Sequence, residues 1–143
     1  MVKKIGNKGK SLIKSFEGLK LTSYLCPAGV WTIGYGHTQG VTSGQIITKQ
    51  QADDFFDSDI EKFEKAVADE NLDINQNQFD ALVSFAFNAG ASAFKKSTLL
   101  KKIKENPNNP EIETEFMKWV NAGGRYLAGL AKRREAEAKL YFS

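Results

Sequence analysis

The chain has 143 residues, 41% of them hydrophobic, with 20 Lys and Arg against 17 Asp and Glu and a net charge of +3. That length suits one domain with a real core. No stretch approaches the roughly eighteen apolar residues of a spanning helix, and a single Cys excludes an internal disulfide. The mild positive charge favours an anionic partner surface without demanding one, and the lysine-rich start lacks the aromatic interleaving of a nucleic-acid binder.

In chain order, the opening MVKKIGNKGKSLIKSFEG has the positive start of an export signal but no apolar core. It predicts a chain that is cytoplasmic where it is made, with no stable membrane association. Residues 9–18 read as a short amphipathic helix ending near Glu17, with Gly18 as its stop. Lys20 to Leu25 mixes Leu, Thr and Tyr and reads as a strand. Pro27-Ala28-Gly29 is a turn, Val30 to Ile33 a second strand, and Gly34 to His37 a bend away from it. Thr42 to Ile47 is a third extended segment, so a three-stranded antiparallel sheet is expected over residues 20–47.

Thr48 then reads as an N-cap, with Gln51 completing a capping box. Ala52, Phe55, Phe56, Ile60, Phe63 and Val67 follow at helical spacing and predict a helix of about twenty residues, roughly 30 Å long. Its acids, Asp53, Asp54, Asp57, Asp59, Glu61 and Glu64, are assigned mostly to a solvated face rather than to a metal. No metal site and no cofactor are expected. Asn75 caps the next helix with Gln78 at the box position. That helix is nearly all apolar up to Gly90 and should form the buried centre of a helical lobe. Ser97 caps a further helix that Pro107 and Pro110 terminate. Glu111 to Val120 forms amphipathic turns, residues 121–124 a loop, and about 127–141 a last helix.

The chemistry concentrates between Ser15 and Thr38, which holds the only His and the only Cys. Glu17 follows Phe16 and precedes Leu19 and Leu21. A carboxyl set against apolar walls has its charged form disfavoured, which suits a general acid. A surface acid at a helix end is the alternative. Eight residues separate Glu17 from Cys26, and five separate Cys26 from Thr32. A helix end followed by a tight hairpin brings the three to one edge. Cys26 with His37 could also suggest a cysteine hydrolase, but Cys26 lies between a strand and a Pro turn, not at a helix N-terminus. Arg133 and Arg134 either meet anionic substrate groups or pair with Glu137 along the helix.

This stretch resembles the active-site segment of the phage lysozymes (endolysins) of glycoside hydrolase family 24. Glu17 falls on the family's acid, Thr32 on its threonine, and Gly34-Tyr35-Gly36-His37-Thr38 matches residue for residue. Cys26 falls where most members carry a second carboxylate. Phe79 to Leu82, Phe87 to Gly90, Ser97 to Leu100, Gly123 to Arg125, Gly129-Leu130 and Arg133-Arg134 with Glu137 extend the likeness to about residues 10–143.

The resemblance implies an α+β, lysozyme-like fold with a small three-stranded sheet lobe (about 15–47) and a larger all-helical lobe. A long helix (about 48–70) joins them. The helical lobe spans about 75–143, with the N-terminal helix packed on it, and peptidoglycan binds in the cleft. It implies an endolysin acting as a muramidase on the β-1,4 bond between N-acetylmuramic acid and N-acetylglucosamine, causing host cell lysis. Glu17 is then the acid, and Cys26 and Thr32 position or activate the nucleophile. Tyr35, Gly36, Asn88 and Arg125 bind substrate, and His37 with Asp59 forms a structural salt bridge. The expected partner is bacterial peptidoglycan, not nucleic acid, and the expected state a monomer. Release is from the host cytoplasm to the periplasm through a holin. A peptidoglycan transglycosylase or a weakened wall-binding module stands as the alternative.

Overall fold

The computed structural model describes residues 2–143. Helix α1 (Asn7–Glu17) leads into strands β1 (Lys20–Leu25) and β2 (Trp31–Gly34) and then the long helix α2 (Lys49–Ala68). Helices α3 (Gln76–Ala89), α4 (Ala91–Lys96), α5 (Thr98–Glu105) and α6 (Glu111–Met117) follow. Strands β3 (Asn121–Ala122) and β4 (Arg125–Tyr126) precede α7 (Ala128–Tyr141). The chain divides into two compact units, one of Ile13–Glu61 and one of the residues up to Leu12 with Lys62–Ser143, so the boundaries fall inside α1 and α2.

In the first unit β1 and β2 form an antiparallel hairpin with Tyr24 opposite Thr32 and Leu25 opposite Trp31. Pro27 presets the backbone of its turn, and Gly29, at φ 78°, closes it by donating to the Cys26 carbonyl at 2.8 Å. The expected third strand is reduced to one bridge, Thr22 to Ile46. The Ser23 N–H donates to the Gln45 carbonyl and the Ile47 N–H to the Leu21 carbonyl, each at 2.9 Å. Left-handed Gly40 and Gly44 turn the approach to this segment, and α2 begins just after it, so no longer ladder can form. The Thr48 hydroxyl accepts from the Gln51 N–H, and the Gln51 side chain accepts from the Thr48 N–H, closing the capping box that starts α2.

The second unit is built on α3, capped by the reciprocal Asn75–Gln78 bonds. Phe85, fully buried, receives the rings of Phe94, Phe116 and Trp119 edge-on, with centroids 5.2–6.4 Å away. Such edge-to-face pairs add to the burial of these large side chains. Ser97 caps α5 by accepting from the Leu100 N–H. Two features depart from the sequence reading. Residues 91–96 form α4, and residues 121–126 form a short hairpin in place of a loop, turned by Gly123 and Gly124 at φ 59° and 76°.

Candidate active site

Glu17 is the last residue of α1. The Gly18 N–H closes the final turn on the Lys14 carbonyl at 2.9 Å, and Gly18 leaves the helix at φ 73°. The walls expected around Glu17 are not its sequence neighbours: Phe16, Leu19 and Leu21 are each 37–40% exposed. Its carboxyl lies instead against Gly36, where an added Cβ would come within 3.1 Å of Glu17 Oε1. Gly36 also has φ 82°, inside the reversal that joins Ile33 to His37 by two 2.9 Å main-chain bonds. Both demands, close approach and left-handed backbone, select glycine.

Cys26 is half-buried at the first corner of the hairpin turn. Its thiol is held below the ordinary range, chiefly because the Val30 main chain, then that of Ala28, hydrogen-bonds the sulfur. The Thr32 hydroxyl adds to this and also donates to the Val30 carbonyl at 3.0 Å. Its single proton is therefore shared between the sulfur and that carbonyl. Thr32 is 4% exposed and faces Tyr24 across the strands.

Tyr24 did not stand out in the sequence as a site residue. It shares a strand face with Thr32 by pairing and with Cys26 by the two-residue alternation. Burial, then the charges of Glu17 and Cys26, push its phenol upward, so it stays neutral and lies within electrostatic reach of both groups. The alternation itself was the available signal.

His37 is buried, its Nδ1 2.8 Å from Asp59 Oδ2, and its ring stacks on Phe55 with centroids 4.1 Å apart. Tyr35, expected to meet substrate, is 8% exposed, with its ring edge-on to Phe56, so its side chain is taken up by the core of its unit. Glu17, Cys26, Thr32, Tyr35, Gly36, His37 and Asp59 thus all belong to the Ile13–Glu61 unit.

Asn88 and Arg125 belong to the other unit. Arg125 is exposed on β4. Asn88 is exposed in the last turn of α3, and its side-chain oxygen accepts from the Arg134 guanidinium. Arg133 and Arg134 are 4% and 1% exposed, which removes them from any surface role. Both bond Glu137, which also accepts from the Ser84 hydroxyl at 2.6 Å. Burial pushes the Glu137 carboxyl up, against the pull of the two guanidiniums. Among the described residues no group of His, Cys, Asp and Glu could hold a metal ion, and no helix is long and apolar enough to cross a membrane.

This helix-rich architecture with a small antiparallel hairpin is that of the lysozyme-like proteins. The chain is similar to the muramidase domain of SpmX from Asticaccaulis excentricus, with a TM-score of 0.90, 38% identity and 98% of both chains covered. It is 44% identical to the endolysin of Acyrthosiphon pisum secondary endosymbiont phage 1 over 97% of this chain and 98% of that one. It is 42% identical to the endolysin of Bacillus phage B103 over 97% of its own length, and spans 54% of that longer protein. The phage lysozyme family profile matches residues 14–137, and the chain belongs to that family. Membership makes it a peptidoglycan-hydrolysing enzyme.

Proposed function

We propose that the chain is an endolysin that hydrolyses the β-1,4 bond between N-acetylmuramic acid and N-acetylglucosamine in peptidoglycan. The observation that carries this is the convergence, within one unit, of Glu17 against Gly36 and of the Cys26 sulfur on the Thr32 side of the hairpin. Glu17 protonates the leaving glycosidic oxygen. Cys26 takes the place of a second carboxylate. Held toward its thiolate form, the sulfur either accepts a proton from water that the Thr32 hydroxyl orients, or attacks the anomeric carbon as the leaving sugar departs, forming a glycosyl-enzyme that water, deprotonated by Glu17, then hydrolyses to free the thiolate. The first route inverts configuration and the second retains it.

Gly36, Asn88 and Arg125 supply main-chain, amide and guanidinium contacts to the glycan and its stem peptides, with Tyr35 contributing through the backbone. His37 and Asp59 tie the exit of the hairpin to α2. The enzyme acts as a monomer, made in the host cytoplasm and reaching the wall through a holin.

Mass spectrometry of digested wall tests the bond cleaved. New reducing N-acetylmuramic acid ends are expected, whereas anhydro ends would mean a transglycosylase and freed peptides an amidase. Changing Glu17→Gln removes the transferable proton while keeping shape. Lysis should fall by at least about a hundredfold. Activity within a few-fold of the parent would end the general-acid assignment.

A further inference from the structure

Lys14 lies three residues before Glu17, on the same turn of α1 and on the same side of the helix. It reads in the sequence as one more lysine on a solvated helix face. Its side chain is only 26% exposed. The ammonium sits 3.1 Å from Asp53 Oδ1 on α2, and Lys49 holds the other oxygen of that carboxylate at 2.9 Å. Both lysines press the Asp53 carboxyl below its ordinary value, led by the hydrogen bond from Lys49. The same ammonium stands 5.0 Å from the ring centroids of both Tyr35 and Phe56, whose rings pack edge-on.

These contacts join three pieces of backbone at one charge. The first is the C-terminal turn of α1, which carries Glu17. The second is the hairpin exit at Tyr35, whose next residue, Gly36, touches the Glu17 carboxyl. The third is the first turns of α2. An exposed ion pair is worth little. This one is partly buried, has two aromatic faces and is shared with a second lysine. A carboxyl on the final turn of a helix has no following turn to hold it, and Gly18 leaves it at left-handed backbone. The contacts of Lys14 bear both on that turn and on the Tyr35–Gly36 segment beside it.

We propose that Lys14, anchored by Asp53, is a positioning residue for the Glu17 carboxyl. It works through the helix turn and the Tyr35–Gly36 segment and does not touch substrate. The inference rests on the reading of Glu17 as the general acid. Loss of orientation at a reacting group lowers turnover more than binding, and a displacement of about 1 Å costs up to about a hundredfold.

Turnover of suspended cell wall by the whole protein tests this with five variants: Lys14→Met, Lys14→Arg, Asp53→Asn, Glu17→Gln and the double Lys14→Met/Glu17→Gln. Lys14→Met keeps the apolar stem over the rings and should lower kcat about tenfold with KM within about twofold. Lys14→Arg retains a cation that reaches Asp53 and should recover to within about threefold. Asp53→Asn, which leaves Lys14 in place, should repeat the kcat loss and so keeps the question open to test if Lys14→Met does not fold. In the double variant, Lys14→Met should add nothing to the loss already caused by Glu17→Gln.

Parental kcat in folded Lys14→Met or Asp53→Asn would overturn the proposal, as would a loss that resides in KM or that multiplies with that of Glu17→Gln. An inactive Glu17→Gln beside a fully active Lys14→Met refutes only the positioning role. An active Glu17→Gln removes the general acid and this inference with it.

Discussion

The Asp80 carboxylate of α3 accepts the main-chain N–H of Gly6 at 2.9 Å and that of Gly9 at 3.1 Å, so the start of α1 is capped by a side chain more than seventy residues away. The first turn of a helix leaves N–H groups without partners inside the helix, and a negative side chain there also meets the favourable end of the helix dipole. Asp80 is 1% exposed, and the Gln76 amide donates to it at 2.7 Å. Gly9 allows the approach: an added Cβ would lie 2.7 Å from Asp80 Cβ and 2.6 Å from Ile5 Cγ1.

Asp80→Ala strands two donors that water reaches poorly. It should cost about 3 kcal/mol in urea unfolding, with Asp80→Asn losing less because one acceptor remains. Gly9→Ala should also destabilise, by overpacking against Ile5 and Asp80. An Asp80→Ala protein within about 0.5 kcal/mol of the parent would show that the remote cap contributes nothing.

Glu115 predicts a pH-dependent term. It is 2% exposed, with Lys118 2.9 Å and Lys102 3.2 Å from Oε2. The hydrogen bond from Lys118, then that from Lys102, holds its carboxyl below the ordinary 4.5, against the upward push of burial. A carboxyl whose folded pKa is depressed contributes fully above its unfolded pKa and loses that contribution as pH falls through the folded value. The difference in Tm between the parent and Glu115→Gln should therefore be greatest at about pH 6–7 and close below about pH 4. A gap of constant size across that range would mean that the ion pairs add no stability of their own.

What the sequence made legible was mostly local. The Thr48–Gln51 and Asn75–Gln78 boxes and the Ser97 cap are read from residues three apart, and all three sit at the helix starts they mark. The hairpin around Pro27 and the Glu17, Cys26 and Thr32 spacing were legible for the same reason. Residues whose role depends on distant chain were misread. Glu64 is an exception among acids that lie mostly on a solvated face: it is 5% exposed and accepts from the Ile5 N–H at 2.8 Å. Lys14 looked like solvated charge because Asp53 comes 39 residues later. The Arg133–Arg134–Glu137 group could be paired from helical spacing, but its burial depends on Ser84 and Asn88, which only the packing of α3 on α7 supplies. The third strand failed because sequence shows an extended segment but not how many ladder bonds its flanking turns allow.

The sharpest prediction concerns Cys26, because it is the only Cys and can be followed directly. With its thiol below the ordinary 9.0, chiefly through the Val30 main chain, reaction with iodoacetamide should rise at lower pH than for free cysteine. Thr32→Val removes one of the weaker contributors and should move that rise upward only slightly. If the sulfur does the work of a carboxylate, alkylation should abolish lysis, and bound chitooligosaccharide should slow it. Cys26→Asp should then keep substantial activity. Cys26→Ser should lose about tenfold or more, since a hydroxyl without an adjacent base is a poor proton acceptor near neutral pH. The pH profile separates these roles further. A base must be deprotonated to act, so the limb that rises with pH should follow the thiol in the parent and shift to lower pH in Cys26→Asp. Full activity in both Cys26→Ser and Cys26→Ala would reduce the sulfur to packing. Glu17 and Thr32 would then have to carry the chemistry with a water that no neighbouring anion activates.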